Sequence, residues 1–273
     1  MRQLPGIGLR DVQSVYSGPE GRLWELLMGE QIHIGGLRSS NDLADRADIR
    51  PGMAGVDLCC ASGAGMRFLV RLRGVGRMIG VDATPHMVEL GRRRTAEAGL
   101  GDRIEFVLGE ATQTGLPDGS MDFVWGEDAW CYVVEKERLI AEAVRLVRPG
   151  GTIAFTDWVE GSVPMTGDEA ARFLRFMKFA NLLDIPGYVR LLESAGCSVE
   201  VAEDSGRFPG CADLYIQMLE AQLAYDALRI LGFDSAALEG LTGELAFVRG
   251  LAHARKIVQG VFVARVRAGR VHA

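Results

Sequence analysis

Two acidic residues and the small residues between them carry the first chemical signal in this chain. Asp57 opens the loop Asp57-Leu-Cys-Cys-Ala-Ser-Gly-Ala-Gly65, and Asp82 ends an apolar run about twenty residues beyond it. Small side chains let a backbone come close to a flat ligand, and a carboxylate at the end of the next strand can accept both hydroxyls of a ribose. This pairing predicts a nucleoside-type cofactor without choosing among such cofactors. A second group of chemistry-bearing residues follows in Gly126-Glu-Asp-Ala-Trp-Cys-Tyr132, where Asp128 and Tyr132 are candidates to handle a proton.

Those residues need elements to position them, and the sequence supplies an alternating series. Short β-rich runs at Met53–Leu58, Met78–Asp82, Arg103–Leu108, Met121–Trp125 and Thr152–Thr156 are separated by helical patterns at 63–73, 85–98 and 136–147. Strand and helix in alternation predict an α/β fold, a doubly wound Rossmann-like sheet that is mostly parallel and covered on both faces. Ligands in such sheets bind beyond the carboxyl ends of the strands, where both loops lie. The flanks read differently. Residues 1–48 contain one amphipathic stretch, Arg22–Met28, and helical patterns fall at 167–182, 187–195, 212–231 and 235–255. Ser198–Ala202 and Gly260–Val266 read as strands, the latter as an antiparallel edge. We therefore expect one catalytic domain in three parts: an amino-terminal cap (1–48), a cofactor-binding core (49–160), and a helical lid with the last strands (161–273).

The motifs within the core resemble those of class I S-adenosylmethionine (SAM) methyltransferases. Asp57-Leu-Cys-Cys-Ala-Ser-Gly63 is similar to the family's first motif, and Gly80-Val-Asp-Ala-Thr-Pro-His-Met87 to its second-strand signature. Gly109-Glu-Ala111 resembles a Gly-Asp-Ala turn, while Leu116–Phe123 and Leu146–Thr152 are similar to the segments around its fourth and fifth strands. The resemblance implies that Asp57, Cys59, Ala61, Gly63 and Glu127 bind the cofactor. It places Asp82 and Ala83 at the ribose, and Met87, Glu110 and Ala111 at the adenine. The family's first two loop glycines are Cys59 and Ala61 here, and a Cβ at either is expected to require a negative φ. A nicotinamide-dependent oxidoreductase is the competing reading, but the G-x-G-x-x-G spacing fails.

A second resemblance lies in Leu23-Trp-Glu-Leu-Leu-Met-Gly-Glu-Gln-Ile-His-Ile-Gly35, which is similar to a segment of the glycine, sarcosine and dimethylglycine N-methyltransferases and of natural-product O-methyltransferases. It implies an active-site wall containing Trp24 and His33. Relatives often carry a histidine in the loop after the fourth strand, and Tyr132 stands there instead, so nitrogen or sulfur becomes the favoured acceptor atom. Tyr132, His33 and Asp128 are the catalytic candidates. Trp24, Trp130 and Trp158 are the substrate-binding candidates, since ring faces hold sulfonium or methylated ammonium groups, with Trp130 the foremost. A carboxylated acceptor would need a cationic partner. Arg172, Arg175 and Arg190 suit a solvated helix face equally well, and none is assigned.

Composition bounds the rest. With 48% hydrophobic and 24% charged residues and a net charge of −6, the chain reads as an ordinary globular protein and not as a nucleic-acid binder. Five cysteines without C-x-x-C spacing argue against a disulfide framework or a zinc site, so no metal is expected. No signal-like or membrane-spanning run occurs, which predicts a cytoplasmic protein without a membrane partner; a homo-oligomer stays open. The expected activity is SAM-dependent methylation of a small amine of the glycine, sarcosine or dimethylglycine type, leaving S-adenosylhomocysteine. The alternatives are a natural-product methyltransferase with a larger acceptor, and a non-catalytic cofactor-binding or scaffold protein.

Overall fold

A computed structural model describes residues 2–267. In chain order it contains β1 (Arg2–Gln3), α1 (Leu9–Ser17), α2 (Pro19–Met28), α3 (Gly36–Arg46), β2 (Ala54–Leu58), α4 (Ala64–Leu72), β3 (Arg77–Asp82), α5 (Pro85–Glu97), β4 (Ile104–Leu108) and β5 (Met121–Glu127). A 3-10 turn (Trp130–Tyr132) follows, then α6 (Lys136–Leu146), β6 (Val147–Glu160), α7 (Gly167–Met177), β7 (Asn181–Leu182), α8 (Ile185–Ser194) and β8 (Cys197–Asp204). The chain continues through α9 (Phe208–Glu220), α10 (Ala224–Ile230), α11 (Ser235–His253) and β9 (Ile257–Val266).

Seven strands form one sheet in the order β4-β3-β2-β5-β6-β9-β8, parallel except for β9. The doubly wound fold class expected from the alternating pattern is borne out. Strands β2 and β5 lie side by side where the strand order reverses, so the Asp57 loop and the Glu127–Tyr132 loop share one crevice. Glycine is required where two elements come this close: a Cβ on Gly55 would fall 2.2 Å from the Phe123 ring.

The periodic reading missed in identifiable places. Strand β9 is not an edge; it lies between β6 and β8, and β8 is the edge. Its residues are almost wholly buried, which explains why it reads as a continuous apolar run. The pattern at 167–182 ends early, because Lys178 turns left-handed (φ 57°) and Asn181–Leu182 pair with Arg2–Gln3. The pattern at 212–231 is two helices, parted at Ala221–Leu223. Helices α1 and α3 were not visible in the amino-terminal flank.

A buried polar cluster fixes the 3-10 turn to the sheet. Lys136 Nζ donates to the carbonyls of Cys131 and Val133 and to Asn181 Oδ1. Asp157, on β6, accepts from the Cys131 amide (3.0 Å) and the Tyr188 hydroxyl (2.5 Å). Burial pushes the Asp157 carboxyl up to about 6, against the opposing pull of Lys136 and these two donors. The folded chain thus holds this proton more tightly than the unfolded chain, where an aspartate titrates near 3.9. This group's contribution to stability is most favourable below about pH 4 and is lost as the pH rises to about 6, a cost of about 3 kcal/mol. Urea midpoints of the native chain and Asp157→Asn between pH 4 and 7 should show that loss in the native chain, with a flatter profile in the variant.

Candidate active site

Beyond the carboxyl ends of β2, β3 and β5 lies one cleft, with about 1310 Å³ of empty space counting its open mouth. It brings together Asp57, Cys59, Ala61, Asp82, Ala83, Met87, Glu110, Ala111, Glu127, Asp128, Tyr132 and His33.

The first loop holds a shape that glycine would adopt freely and these residues do not. Cys59 and Ala61 have φ values of 65° and 45°. The expectation that both keep φ below zero is therefore overturned: the turn retains its left-handed geometry and carries the Cβ atoms under strain. Backbone hydrogen bonds hold it there. The Cys59 and Cys60 amides donate to the Val81 carbonyl, and the Ala61 amide donates to Asp82 Oδ2 at 2.9 Å. Asp82 Oδ1 accepts from the Thr84 amide, so the same carboxylate shapes the loop and faces the cleft. Burial pushes its pKa up, and the Thr84 and Ala61 amides pull it back. Gly63 is not a lining residue. It caps α4 with φ 76°, and a Cβ there would fall 2.5 Å from the Phe106 ring.

Gly65 opens a cradle at the far end. A Cβ on it would sit 2.8 Å from Glu127 Oε2, 3.5 Å from Trp125 Nε1 and 3.6 Å from Asp57 Oδ2. Trp125 Nε1 is buried without a hydrogen-bond partner. Burial raises the Asp57 pKa well above the ordinary carboxylate value, with Glu127 and Asp82 adding to the rise. Two carboxylates beside one bare Cα suit a ligand's ammonium group, which would relieve the acids.

The amino-terminal segment forms the opposite wall. His33 is buried with Nε2 3.3 Å from Glu127 Oε1 and 3.2 Å from Ser40 Oγ, while Ser40 itself donates to Glu127. Asp128 is left-handed (φ 51°) and accepts from the Ile34 amide at 2.8 Å and from Gln259 Nε2 at 2.9 Å. Burial raises its pKa, opposed chiefly by His33 and the Ile34 amide. With these partners Asp128 is engaged in joining the wall to the sheet. Gln13 Nε2 donates to the Ala83 carbonyl at 2.7 Å, seating α1 across the end of β3. Tyr16, on α1, lies 3.1 Å oxygen to oxygen from Tyr132, whose pKa is raised far above the ordinary phenol value by burial, with Tyr16 adding to it. Tyr132 therefore holds its proton more firmly than a free phenol and can orient or donate.

Sequence reasoning misplaced the tryptophans. Trp130 is fully buried, stacked on Phe155 at 4.0 Å, with Nε1 donating to the Leu58 carbonyl. Trp24 and Trp158 are also core residues, the latter edge-on to Phe208. None of the three lines the cleft. The aromatic residues that do are Tyr16 and Tyr132, and Tyr16 went unnoticed because α1 was not read as a helix. The helical additions form a cap in which α9 and α10 pack on α2, yet among the described residues nothing after Glu135 lines the cleft. Arg172 pairs with Glu244 and covers the Phe247 ring, and Arg190 is exposed near Asp184. No group of side chains among the described residues could hold a metal ion, and no helix there is long and apolar enough to cross a membrane.

Comparison with known proteins points the same way. Residues 56–155 match the family model described as a methyltransferase domain. Over that stretch the chain is similar to a methyltransferase domain. Phosphoethanolamine N-methyltransferase 1 of Arabidopsis thaliana is 25% identical over 194 residues, 70% of this chain. The chain spans only 37% of that relative's length, and 39% and 35% of two other curated relatives. Among solved structures, a candidate sarcosine dimethylglycine methyltransferase of Galdieria sulphuraria superposes with a TM-score of 0.79 at 21% identity, covering 94% of this chain and 99% of its own. The 4+2 cyclase SpnF gives the same TM-score and identity over 98% of this chain and 100% of its own. The resemblance read from the motifs of the methyltransferase domain is thus borne out, while the wider fold is shared with a protein named for another reaction.

Two substitutions test the loop. Ala61→Gly should stabilise the fold by about 1 kcal/mol, raising Tm by about 2 °C. Gly63→Ala should destabilise by about 3 kcal/mol in urea unfolding, since it adds both a strained φ and a clash.

Proposed function

We propose that this protein is a SAM-dependent methyltransferase acting on a small molecule. The observation that carries the reading is the Gly65 cradle, where Asp57 and Glu127 face the cleft so close to the backbone that only a glycine fits beside them. The amino-acid end of SAM fits there. Asp82 is the acceptor for its ribose hydroxyls, and Met87, Glu110 and Ala111 form the adenine end of the cleft. When bound, SAM supplies a methyl group on a sulfonium, already activated for displacement. The chain's own contribution is alignment, worth about 7–11 kcal/mol when complete. Helix α1 and the Glu30–His33 segment line the cleft opposite the sheet, and the Tyr16–Tyr132 pair supplies a fixed hydroxyl contact. His33, held by Glu127 and Ser40, and Asp128, held by Ile34 and Gln259, act as positioning residues for that wall.

Calorimetric titration with S-adenosylhomocysteine tests this, with NAD as control. The native chain should bind the first alone with micromolar affinity, about −8 kcal/mol. Asp82→Ala should lose at least a hundredfold in affinity, about 3 kcal/mol. Unchanged binding by that variant would sink the ribose assignment. Binding of NAD in place of S-adenosylhomocysteine would favour an oxidoreductase.

A further inference from the structure

Glu127 presents its two carboxylate oxygens to different neighbours. Oε2 would stand 2.8 Å from a Cβ on Gly65, on the side of Asp57 Oδ2, while Oε1 is held by the cap. The glutamate does not fix that division by itself, because its last torsion is broad and the carboxylate plane turns at little cost. Ser40 does. Its hydroxyl donates to Glu127 Oε1 at 2.6 Å, the short bond expected between a hydroxyl and an ionised acceptor. Gln31 Nε2 donates to the same serine oxygen at 3.0 Å, and the single hydroxyl hydrogen is left for the carboxylate. His33 Nε2 stands farther off, 3.2 Å from Ser40 Oγ and 3.3 Å from Glu127 Oε1.

The donor is itself fixed. Ser40 lies on α3 and is wholly buried, as are Leu43 and Ala44, three and four residues on. Residues at that spacing share one helix face, so the apolar contacts that seat α3 also set the hydroxyl. Leu43 and Ala44 pack in the same core cluster as Trp125, two positions before Glu127 on β5. Donor and acceptor are thus anchored to one block of core. An ammonium at Gly65 then meets one oxygen from Asp57 and one from Glu127, with the second oriented before the ligand arrives. We infer that Ser40 is a positioning residue for the amino group of the bound cofactor. It holds Glu127 with Oε2 toward Gly65, and the preference for an adenosyl ligand with an ammonium over one without depends on this hydroxyl. This rests on the reading of the Gly65 end as the amino-acid end of the SAM site, and adds to it a residue that does not line the cleft.

The test is calorimetry on the full chain with S-adenosylhomocysteine and with methylthioadenosine, which has the same adenosine and thioether but no amino-acid portion. The native chain should prefer S-adenosylhomocysteine by about twentyfold or more. Ser40→Ala should shrink that preference about fivefold or more, by weakening S-adenosylhomocysteine while methylthioadenosine stays within about twofold of its native affinity. Glu127→Gln tests the route. In that background, adding Ser40→Ala should cost S-adenosylhomocysteine less than about twofold, because the carboxylate it acts through is gone. A serine needed only for folding would weaken both ligands alike and cost as much with Gln at 127 as with Glu, and either result would overturn the inference. So would native S-adenosylhomocysteine affinity in Ser40→Ala, which defeats the inference and leaves the cofactor reading standing. If the native chain does not bind S-adenosylhomocysteine at all, the cofactor reading fails first and the role of Ser40 falls with it.

Discussion

The carboxylate of Asp128 is buried where three distant parts of the chain meet, and the cleft depends on it. It stands at the end of β5, accepts from the Ile34 amide of the cap and from Gln259 on β9, and is left-handed to do so. Gln259 in turn donates to the Ile34 carbonyl, closing a ring of hydrogen bonds between cap and sheet. A buried carboxylate without donors would cost several kcal/mol, so the cap segment and β9 stabilise the acid as much as the acid fixes them. Remove any member and the wall that carries His33 and Gln31 loses its register against Glu127.

The same economy governs the rest of the cleft. Asp82 shapes the strained loop through the Ala61 amide while facing the ligand side, and Glu127 anchors the cap through Ser40 with one oxygen while the other faces Gly65. Burial raises the Asp57 carboxyl, and repulsion from Glu127 and Asp82 adds to the rise. The protein keeps them together because each is tied to backbone amides or side-chain donors, or is positioned to meet a cation. The left-handed Cys59 and Ala61 fit this account: the hydrogen bonds to Val81 and Asp82 outweigh a backbone cost of about 1–2 kcal/mol per residue.

How far the sequence was legible follows from the physics of each element. Strands β2, β3 and β5 are buried on both faces and end in motif loops, so their apolar runs and acids pointed to the crevice directly. Asp57, Asp82 and Glu127 came from that same signal. Strand β9 was equally apolar, but pairing order is set by contacts across the chain that no local pattern encodes. Helix α1 buries only Val12 and Val15, too little apolar periodicity to announce a helix, and Tyr16 was lost with it. Trp130 misled for a different reason. A large aromatic beside a functional loop can face either way, and Gly126 beneath it leaves the room that lets the indole turn into the core, within 2.3 Å of where a Cβ would stand. That vacancy is visible only in three dimensions. The positive φ at Cys59 and Ala61 was illegible because residue type alone argued the opposite.

The bond from Gln259 to Ile34 spans 225 positions. During synthesis the cap emerges 225 residues before Gln259, so until β9 is made the wall of the cleft has only Asp128 and Glu127 to dock against. Contacts this far apart in the chain are slow to form. A nascent chain can therefore build β2 to β5 and bury much of its core while still lacking a finished binding site, which is completed only after β9 has inserted between β6 and β8.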